Sequence, residues 1–247
     1  MEAPHLNKRA EFETVLRNYQ MSDRAKADLD GLSFALMVAP TATGRNTIIN
    51  ELLKTGKYQF IVTDTTRPPR INNGVMERDG VEYFFRTEDD MLADLKNGRF
   101  VEAAIIHGQQ VSGISVRELE RAKSLGKIAI TDIEIHGTET IKRAQPNASA
   151  IFVLPPDFDE WMSRLYHRSP EMTPEEFKRR LASASTELQD ALSRDYYLFV
   201  LNDTVTQAAR DVDEIVRLKQ IDPAKQAVGR DLAQRLLAET EAHYKAL

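Results

Sequence analysis

The stretch that most constrains the fold of this chain is residues 34–47, Phe-Ala-Leu-Met-Val-Ala-Pro-Thr-Ala-Thr-Gly-Arg-Asn-Thr. An apolar run of strand length enters a turn of small residues, and a helical pattern begins near Gly44. This is the layout of a phosphate-binding loop, usually written G-x-x-x-x-G-K-[ST], in which backbone N–H groups at the helix start hold the anion. The stretch therefore predicts a phosphate site between a strand and a helix.

The loop departs from the usual pattern at three positions, because Ala39, Arg45 and Asn46 replace the first Gly, the Lys and the Ser/Thr. Gly44 and the adjoining Thr47 fit the pattern. Arg45 keeps a positive charge, but its planar guanidinium is longer than a compact ammonium group. Asn46 offers only an amide oxygen to Mg²⁺. The loop alone therefore predicts a phosphate site with altered chemistry.

Composition excludes several classes of protein. With 247 residues, 42% of them hydrophobic, the chain can form one large α/β domain with an extra terminal segment. The net charge of −5 argues against a general nucleic-acid binder. No apolar run approaches the roughly 18 residues of a membrane span, and the first residues do not resemble a secretory signal. The absence of cysteine excludes disulfides and thiolate metal sites. It is compatible with a reducing cytoplasm, which is the expected location.

Strands alternate with helices along most of the chain, which predicts a largely parallel sheet with right-handed crossovers. The predicted strands are 33–38, 58–63, 81–85, Phe100–Ile106, 127–133, 150–154 and 196–201. The predicted helices are 44–54, 87–95, 115–125, 138–144, 158–167, 174–194 and 205–218. Between the first and second core strands lies a β-rich stretch of roughly fifty residues, which we interpret as a small inserted subdomain.

The two ends of the chain are predicted to be helical extensions. Residues 1–33 contain a helix over 9–19 and a second short helix with Ser22 as its N-cap. This arm either packs on the core or serves self-association. Residues 219–247 contain one amphipathic helix over 224–244, in which no chemistry is expected.

A second candidate binding segment is residues 63–70, Thr-Asp-Thr-Thr-Arg-Pro-Pro-Arg. Arg67 and Arg70 lie three residues apart on a segment that consecutive prolines hold extended. Both guanidinium groups can then face one phosphate with paired donors. The stiffness of the segment also reduces the entropy lost on anion binding. These features predict a second phosphate site.

Here the chain resembles a known family. Thr-Thr-Arg-Pro-Pro-Arg at 65–70 and Gly-Val-Glu-Tyr-Phe-Phe at 80–85 are similar to the GMP-binding subdomain of guanylate kinases. The similarity continues in register at 97–102, 126–137, 152–156, 164–168, 179–181 and 202–203. The resemblance implies an α/β fold over 34–218, with a P-loop kinase-type parallel sheet flanked by helices. It also implies a β-rich GMP-binding subdomain at about 58–115 and a helical lid at about 165–178.

The resemblance also implies a role for each matching residue. The GMP-binding set is Thr63, Arg67, Arg70, Tyr83, Glu102 and Glu134, in which Glu102 accepts hydrogen bonds from guanine N1 and the exocyclic amine. The ATP-binding set is Thr43, Gly44, Arg45, Asn46 and Thr47. Asp132, through water, and Asn46 are the implied contacts of Mg²⁺. The implied catalytic cations, which neutralise the transferring phosphoryl group, are Arg45, Arg164, Arg168 and Arg180.

Residues 108–115, Gly-Gln-Gln-Val-Ser-Gly-Ile-Ser, depart from the pattern of the family. Ser112 replaces a tyrosine that would donate to the phosphate, and Ile114 replaces a hydroxyl near the guanine carbonyl. The loop from Arg70 to Tyr83 is also longer than usual. These changes predict weaker GMP binding or a different nucleotide preference.

Three functions remain open from the sequence. The first is a kinase that converts GMP to GDP by in-line transfer from ATP with Mg²⁺. The second is a non-catalytic module that binds a nucleotide or a phosphorylated partner on the same fold. The third is a kinase that acts on another nucleoside monophosphate. No nucleic-acid or membrane partner is expected for any of them.

Overall fold

The structure is a computed structural model that describes residues 6–72, 75–106 and 108–247, with Asn72 described by its backbone. Residues 1–5 of the predicted N-terminal extension lie outside the described residues. The strands are β1 (Phe34–Val38), β2 (Tyr58–Phe60), β3 (Asp64–Thr65), β4 (Ile71–Asn72), β5 (Val75–Met76), β6 (Phe84–Phe85), β7 (Phe100–Ile106), β8 (Gln110–Ser115), β9 (Ile128–Asp132), β10 (Ser149–Leu154) and β11 (Tyr197–Leu201). The helices are α1 (Arg9–Leu16), α2 (Asp23–Asp28), α3 (Arg45–Lys54), α4 (Glu88–Lys96), α5 (Val116–Ser124), α6 (Ile135–Ala144), α7 (Phe158–Arg168), α8 (Pro174–Ser193), α9 (Val205–Val216) and α10 (Pro223–Ala246).

The chain divides into two compact units. The first, here called the phosphate-loop unit, comprises Ser33–Tyr58, Ile130–Thr138 and Asn147–Leu247. The second, here called the β-rich unit, comprises Met1–Leu32 (described from Leu6), Gln59–Ala129 and Glu139–Pro146.

The central sheet has the strand order β11-β10-β1-β9-β2, and β10 pairs in parallel with both β1 and β11. Every residue of β1 and β10 is buried, as expected for strands that helices cover on both faces. Trp161 of α7 and Leu188 of α8 lie in one core cluster with Phe152 and Phe199 of this sheet. The predicted parallel sheet flanked by helices is confirmed.

The C-terminal helix α10 belongs to the phosphate-loop unit and packs on α8 and β11. Leu232, Ala233 and Leu236 are its buried contacts in the core cluster. Gly229 allows the close approach to β11, because a Cβ at this position would lie 2.5 Å from the Cβ of Phe199. The helix thus extends the hydrophobic core of its unit.

The β-rich unit is built on a four-stranded sheet in the order β6-β3-β8-β7. β3 pairs in parallel with β6 and antiparallel with β8, and β7 pairs antiparallel with β8. Phe12 of α1 and Met91 of α4 pack with Phe100 and Val111 in one hydrophobic cluster. That cluster covers one face of the sheet, and the other face carries polar side chains beside the buried Ile114.

Several element boundaries differ from the predictions for physical reasons. The strand predicted over 81–85 is reduced to β6, because Gly80 N–H donates to Tyr83 O (2.8 Å) and Asp79 accepts from Phe85 N–H (2.8 Å). The strand predicted over 58–63 ends at Phe60. The helix predicted over 138–144 begins earlier, at Ile135. The predicted cap at Ser22 is confirmed, and Thr87 caps α4 in the same way.

Across residues 6–72, 75–106 and 108–247, no helix is both long and apolar enough to cross a membrane.

Candidate active site

The phosphate loop lies between β1 and α3, and its geometry requires glycine at position 44. Gly44 is the N-cap of α3 with a φ of 92°, a conformation that favours glycine. A Cβ there would lie 2.1 Å from Nδ2 of Asn202, which donates to the carbonyl of Thr43 at 2.7 Å. Asn202 therefore fixes the loop from the end of β11, so that the N-terminus of α3 is open to an anion.

A cavity of about 700 Å³ opens over this loop within the phosphate-loop unit. It brings together most of the residues predicted to contact ATP, Mg²⁺ or the transferring phosphoryl group. The predicted residues that line it are Thr43, Gly44, Arg45, Asn46, Thr47, Asp132, Glu134, Arg164 and Arg168. Arg45, together with Arg164 and Arg168 of α7, brings paired donors for phosphate oxygens to the N-terminus of α3, beside four carboxylates of the same lining.

Arg45 turns from the loop toward the end of β9. Its Nη2 lies 3.3 Å from Oδ2 of Asp132, and its Nη1 lies 3.5 Å from the carbonyl of Ile133. Its side chain is 25% exposed and that of Asp132 is 37% exposed, so both groups are open to the cavity. The longer guanidinium thus contacts the carboxylate that is predicted to contact Mg²⁺ through water.

The lid arginines are placed differently from one another. Arg164 on α7 donates to the carbonyl of Asn202 at 3.1 Å and to that of Thr43 at 3.5 Å. Arg168 lines the same cavity, whereas Arg180 does not. Arg180 pairs with Glu176 on its own helix, and its buried Nη1 has no hydrogen-bond partner in the described chain. The catalytic role of Arg180 therefore stays a prediction.

The predicted lid, residues 165–178, comprises the end of α7, a turn and the start of α8. Leu165, Phe177 and Leu181 form a small cluster against which Ala42 of the phosphate loop packs. Apolar packing thus connects the lid segment to the loop within one unit.

Glu187 on α8 lines the cavity and was not predicted as a site residue. Its Oε1 accepts from Ser183 at 3.0 Å, and its buried Oε2 has no hydrogen-bond partner among the described residues. Burial raises the pKa of Glu187 to about 7; Ser183 and Arg45 oppose this shift, and Glu134 adds to it. The sequence feature that could have identified Glu187 is its place next to Leu188, at the edge of the apolar face of α8.

In the β-rich unit, strand register places the predicted base-binding residues on one face of the sheet. Glu102 lies opposite Ile114, and Ser112 lies opposite both Ala104 and Thr65. Residues opposite one another on paired strands point to the same face. Glu102 therefore shares a face with the hydroxyls of Thr65 and Ser112 and with the buried Ile114.

The two arginines of the 63–70 segment are in different environments. Arg67 is 5% exposed and forms a bidentate pair with Glu77 at 2.5 and 2.9 Å, and this hydrogen bonding raises the pKa of Arg67. Its guanidinium also lies 4.6 Å from the ring centroid of Tyr83. Arg70 is exposed, and its backbone N–H donates to Glu77 at 2.9 Å. Glu77, which the sequence analysis missed, thus connects both arginines, and the exposed Arg70 is the accessible donor.

Gln110 is a further polar residue of this face that the sequence analysis missed. It accepts from Nη2 of Arg70 at 3.4 Å and donates to Ser112 at 3.3 Å. Ser112 in turn donates to Thr65 Oγ1 at 2.9 Å. A hydrogen-bonded series from Arg70 to Thr65 therefore occupies the place where the family pattern has a tyrosine.

The remaining residues of the predicted GMP-binding set are Thr63 and Glu134. Thr63 is half-buried, and its carbonyl accepts from Phe84 N–H at 2.9 Å. Glu134 is exposed and belongs to the phosphate-loop unit, where it lines the cavity. The roles of both residues in guanine binding stay predictions.

Most of the chain is similar to known proteins of one family. The family model described as guanylate kinase matches residues 33–219. A guanylate kinase of Polaromonas sp. (strain JS666 / ATCC BAA-500) is 33% identical over 75% of this chain and 87% of its own length. Guanylate kinase 1 of Arabidopsis thaliana is 32% identical over 72% of this chain, which spans 46% of that relative. The crystal structure of guanylate kinase from Anaplasma phagocytophilum superimposes with a TM-score of 0.55 at 22% identity, covering 89% of this chain and 96% of that one.

Proposed function

This chain belongs to the guanylate kinase family, and we propose that it phosphorylates GMP to GDP with ATP as the phosphoryl donor. In this reaction an oxygen of the GMP phosphate attacks the γ-phosphorus of ATP. The bond from that phosphorus to the bridging β–γ oxygen breaks, and ADP leaves. Positioning and charge neutralisation supply the catalysis, and no covalent enzyme intermediate is involved.

The face of the β-rich sheet supports GMP as the acceptor. Guanine presents two donors, N1–H and the exocyclic amine, to a carboxylate such as Glu102, whereas adenine lacks this paired edge. Arg70, exposed at the end of the same polar face, supplies a cation for the phosphate. Arg67 and Glu77 hold the segment that carries Arg70.

The observation that carries the proposal is the convergence of Arg45, Arg164 and Arg168 on the cavity over the N-terminus of α3. Backbone N–H groups at that terminus bind phosphate oxygens. Arginines from the loop and from α7 can then neutralise the charge on a transferring phosphoryl group. A module that only binds a phosphorylated partner needs no second cavity in which three arginines converge over a helix N-terminus.

Mg²⁺ with ATP fits the donor set of the cavity. Asp132 offers a carboxylate and Asn46 an amide oxygen, both on the cavity lining. Over residues 6–72, 75–106 and 108–247, no group of three or more His, Asp or Glu side chains could hold a metal ion. The ion would therefore be held mainly by phosphate oxygens and water, which is the usual mode for Mg²⁺. When bound, it would supply charge neutralisation at the phosphates.

A second candidate is a binding module that has lost phosphoryl transfer. The contact of Arg45 with Asp132 at 3.3 Å favours it. In this contact the cation of the phosphate loop pairs with the carboxylate that is predicted to contact Mg²⁺. Loss of one preorganised transition-state contact costs about 3 kcal/mol, or about a hundredfold in rate. The altered loop is expected to slow the reaction accordingly.

Steady-state kinetics with GMP, ATP and Mg²⁺ tests the proposal, together with the double restoration of Arg45→Lys and Asn46→Ser. We expect measurable GDP formation by the wild-type chain and about a tenfold or larger gain in kcat for the double variant. Lys54→Arg, a Lys/Arg exchange at the exposed end of α3, is the matched control and should leave kcat unchanged.

Two outcomes would favour the other candidates. No GDP formation at high enzyme concentration, with GMP binding but no ATP binding in calorimetry, would contradict the kinase and favour the binding module. Faster turnover of another monophosphate than of GMP would show a changed acceptor, to which Ile114 and Ser112 would be the first contributors to test.

A further inference from the structure

The N-terminal arm, residues 6–32, precedes the residues that match the family model and belongs to the β-rich unit. Ser22 N–H donates to the carbonyl of Gly98 at 3.1 Å, and a Cβ on Gly98 would lie 2.6 Å from that nitrogen. Lys123 donates to the carbonyls of Asp28 and Asp30 at 2.8 and 2.7 Å. The arm is therefore held by hydrogen bonds to the turn between α4 and β7 and to α5.

Tyr19 of this arm makes two hydrogen bonds to one residue of β7. Its hydroxyl accepts from Phe100 N–H at 2.8 Å and donates to Phe100 C=O at 2.7 Å. Burial raises the pKa of Tyr19 to about 12, so the hydroxyl keeps the proton that it donates. Because β7 is the end strand of its sheet, the hydroxyl takes the place that a further strand would fill.

The residue that Tyr19 holds lies at a β-bulge immediately before Glu102. Phe100 lies opposite Ser115, whereas Glu102 lies opposite Ile114, so two steps along β7 match one step along β8. A one-residue change of register moves a side chain to the other face of the sheet. The bulge therefore decides that Glu102 points to the face carrying Ser112 and Thr65.

On the other side of β7, Gly113 leaves room for the bulge. A Cβ on Gly113 would lie 2.5 Å from the carbonyl oxygen of Glu102. The backbone around Glu102 is thus held between β8 on one edge and the Tyr19 hydroxyl on the other. The contact from the Tyr19 hydroxyl lies outside the family model, which matches residues 33–219.

We propose that Tyr19 is a positioning residue that holds the β7 bulge and so aims Glu102 at the guanine of the acceptor nucleotide. The inference rests on the proposed function, since it assigns the arm to the acceptor site. The apolar side chains of the arm, Phe12 and Leu6 among them, pack on the reverse face of the sheet. The hydroxyl of Tyr19 adds the specific contact that fixes the bulge.

Tyr19→Phe tests the proposal, because it removes the hydroxyl and keeps the ring. Calorimetric titrations of the full chain with GMP, IMP and ATP are compared with those of Tyr58→Phe. Tyr58 is the matched control, since its hydroxyl donates to Asp213 at 2.9 Å within the phosphate-loop unit. IMP lacks the 2-amino group and so makes only one of the two hydrogen bonds to Glu102.

We expect Tyr19→Phe to raise the Kd for GMP about tenfold, the usual effect of losing a buried hydrogen-bonded group. The Kd for IMP should rise less, so the preference for GMP over IMP shrinks, and the Kd for ATP should stay unchanged. Tyr58→Phe should leave the GMP to IMP ratio as it is. If Tyr19→Phe leaves the ratio of the Kd values for IMP and GMP unchanged, whether or not both values rise, the positioning role would be overturned.

Amide hydrogen exchange gives a second measurement that needs no ligand. In Tyr19→Phe, the amides of residues 100–102 should exchange at least about tenfold faster, while α3 amides keep their rates. Unchanged exchange at 100–102 would show that the hydroxyl does not hold the bulge. If the wild-type chain binds no GMP, the proposed function fails and this role falls with it; normal GMP binding by Tyr19→Phe refutes the role alone.

Discussion

Glu187 gives a prediction whose size follows from its place in the phosphate-loop cavity. Burial raises its pKa from the ordinary 4.5 to about 7 in the folded chain, with repulsion from Glu134 adding to the shift and Ser183 and Arg45 opposing it. At a pH below the unfolded-state pKa, the carboxyl group is protonated in both states, so its raised folded-state pKa costs no stability. Stability then falls as pH rises from about 4.5 to about 7, by about 3 kcal/mol at about 1.4 kcal/mol for each pH unit.

Glu187→Gln removes this titration while keeping the shape of the side chain. Urea unfolding followed by the fluorescence of Trp161, the sole tryptophan of the sequence, measures the free energy of unfolding between pH 4.5 and 8. The advantage of the variant over wild type should grow by up to about 3 kcal/mol across this interval. Glu239→Gln, at an exposed position on α10, is the control and should show no such trend. A pH-independent difference for Glu187→Gln would show that burial does not raise the pKa of Glu187.

Two further substitutions test the packing of each unit by urea unfolding. Glu77→Ala leaves Arg67 buried without its bidentate partner and should destabilise the β-rich unit by about 3–5 kcal/mol, whereas the exposed Glu82→Ala should cost less than about 1 kcal/mol. Gly229→Ala places a methyl 2.5 Å from β11 and should cost about 1–3 kcal/mol, unlike the neighbouring exposed Val228→Ala. Equal losses within either pair would contradict the packing described.

The fold was largely predictable because its elements carry strong local signals. β1 and β10 are continuous apolar runs, and capping residues such as Thr87 mark helix starts. The short strand β3 was not predicted, because two paired residues leave no periodicity to detect, and the strand predicted over 81–85 was longer than β6 for the same reason. Their pairing depends on partners that are distant in sequence.

The residues of the candidate site were predictable where they belong to a local sequence motif. They were not predictable where they depend on a contact between residues that are distant in sequence. The phosphate-loop residues and the Arg67–Arg70 segment follow from local sequence. Glu77 was missed because an acid in a long loop resembles any solvated charge until its burial is known. Tyr19 was missed because its partner is 81 residues away and is a backbone group, which leaves no trace in the sequence.

The proposed function requires that the altered loop still supports phosphoryl transfer to GMP. Phosphorus NMR of the wild-type chain with GMP, ATP and Mg²⁺ measures this transfer, since it detects every phosphorus-containing product. We expect GDP and ADP to appear together in equal amounts as GMP and ATP disappear. Spectra in which GMP persists unchanged, or in which ATP gives ADP and free phosphate without GDP, would contradict it.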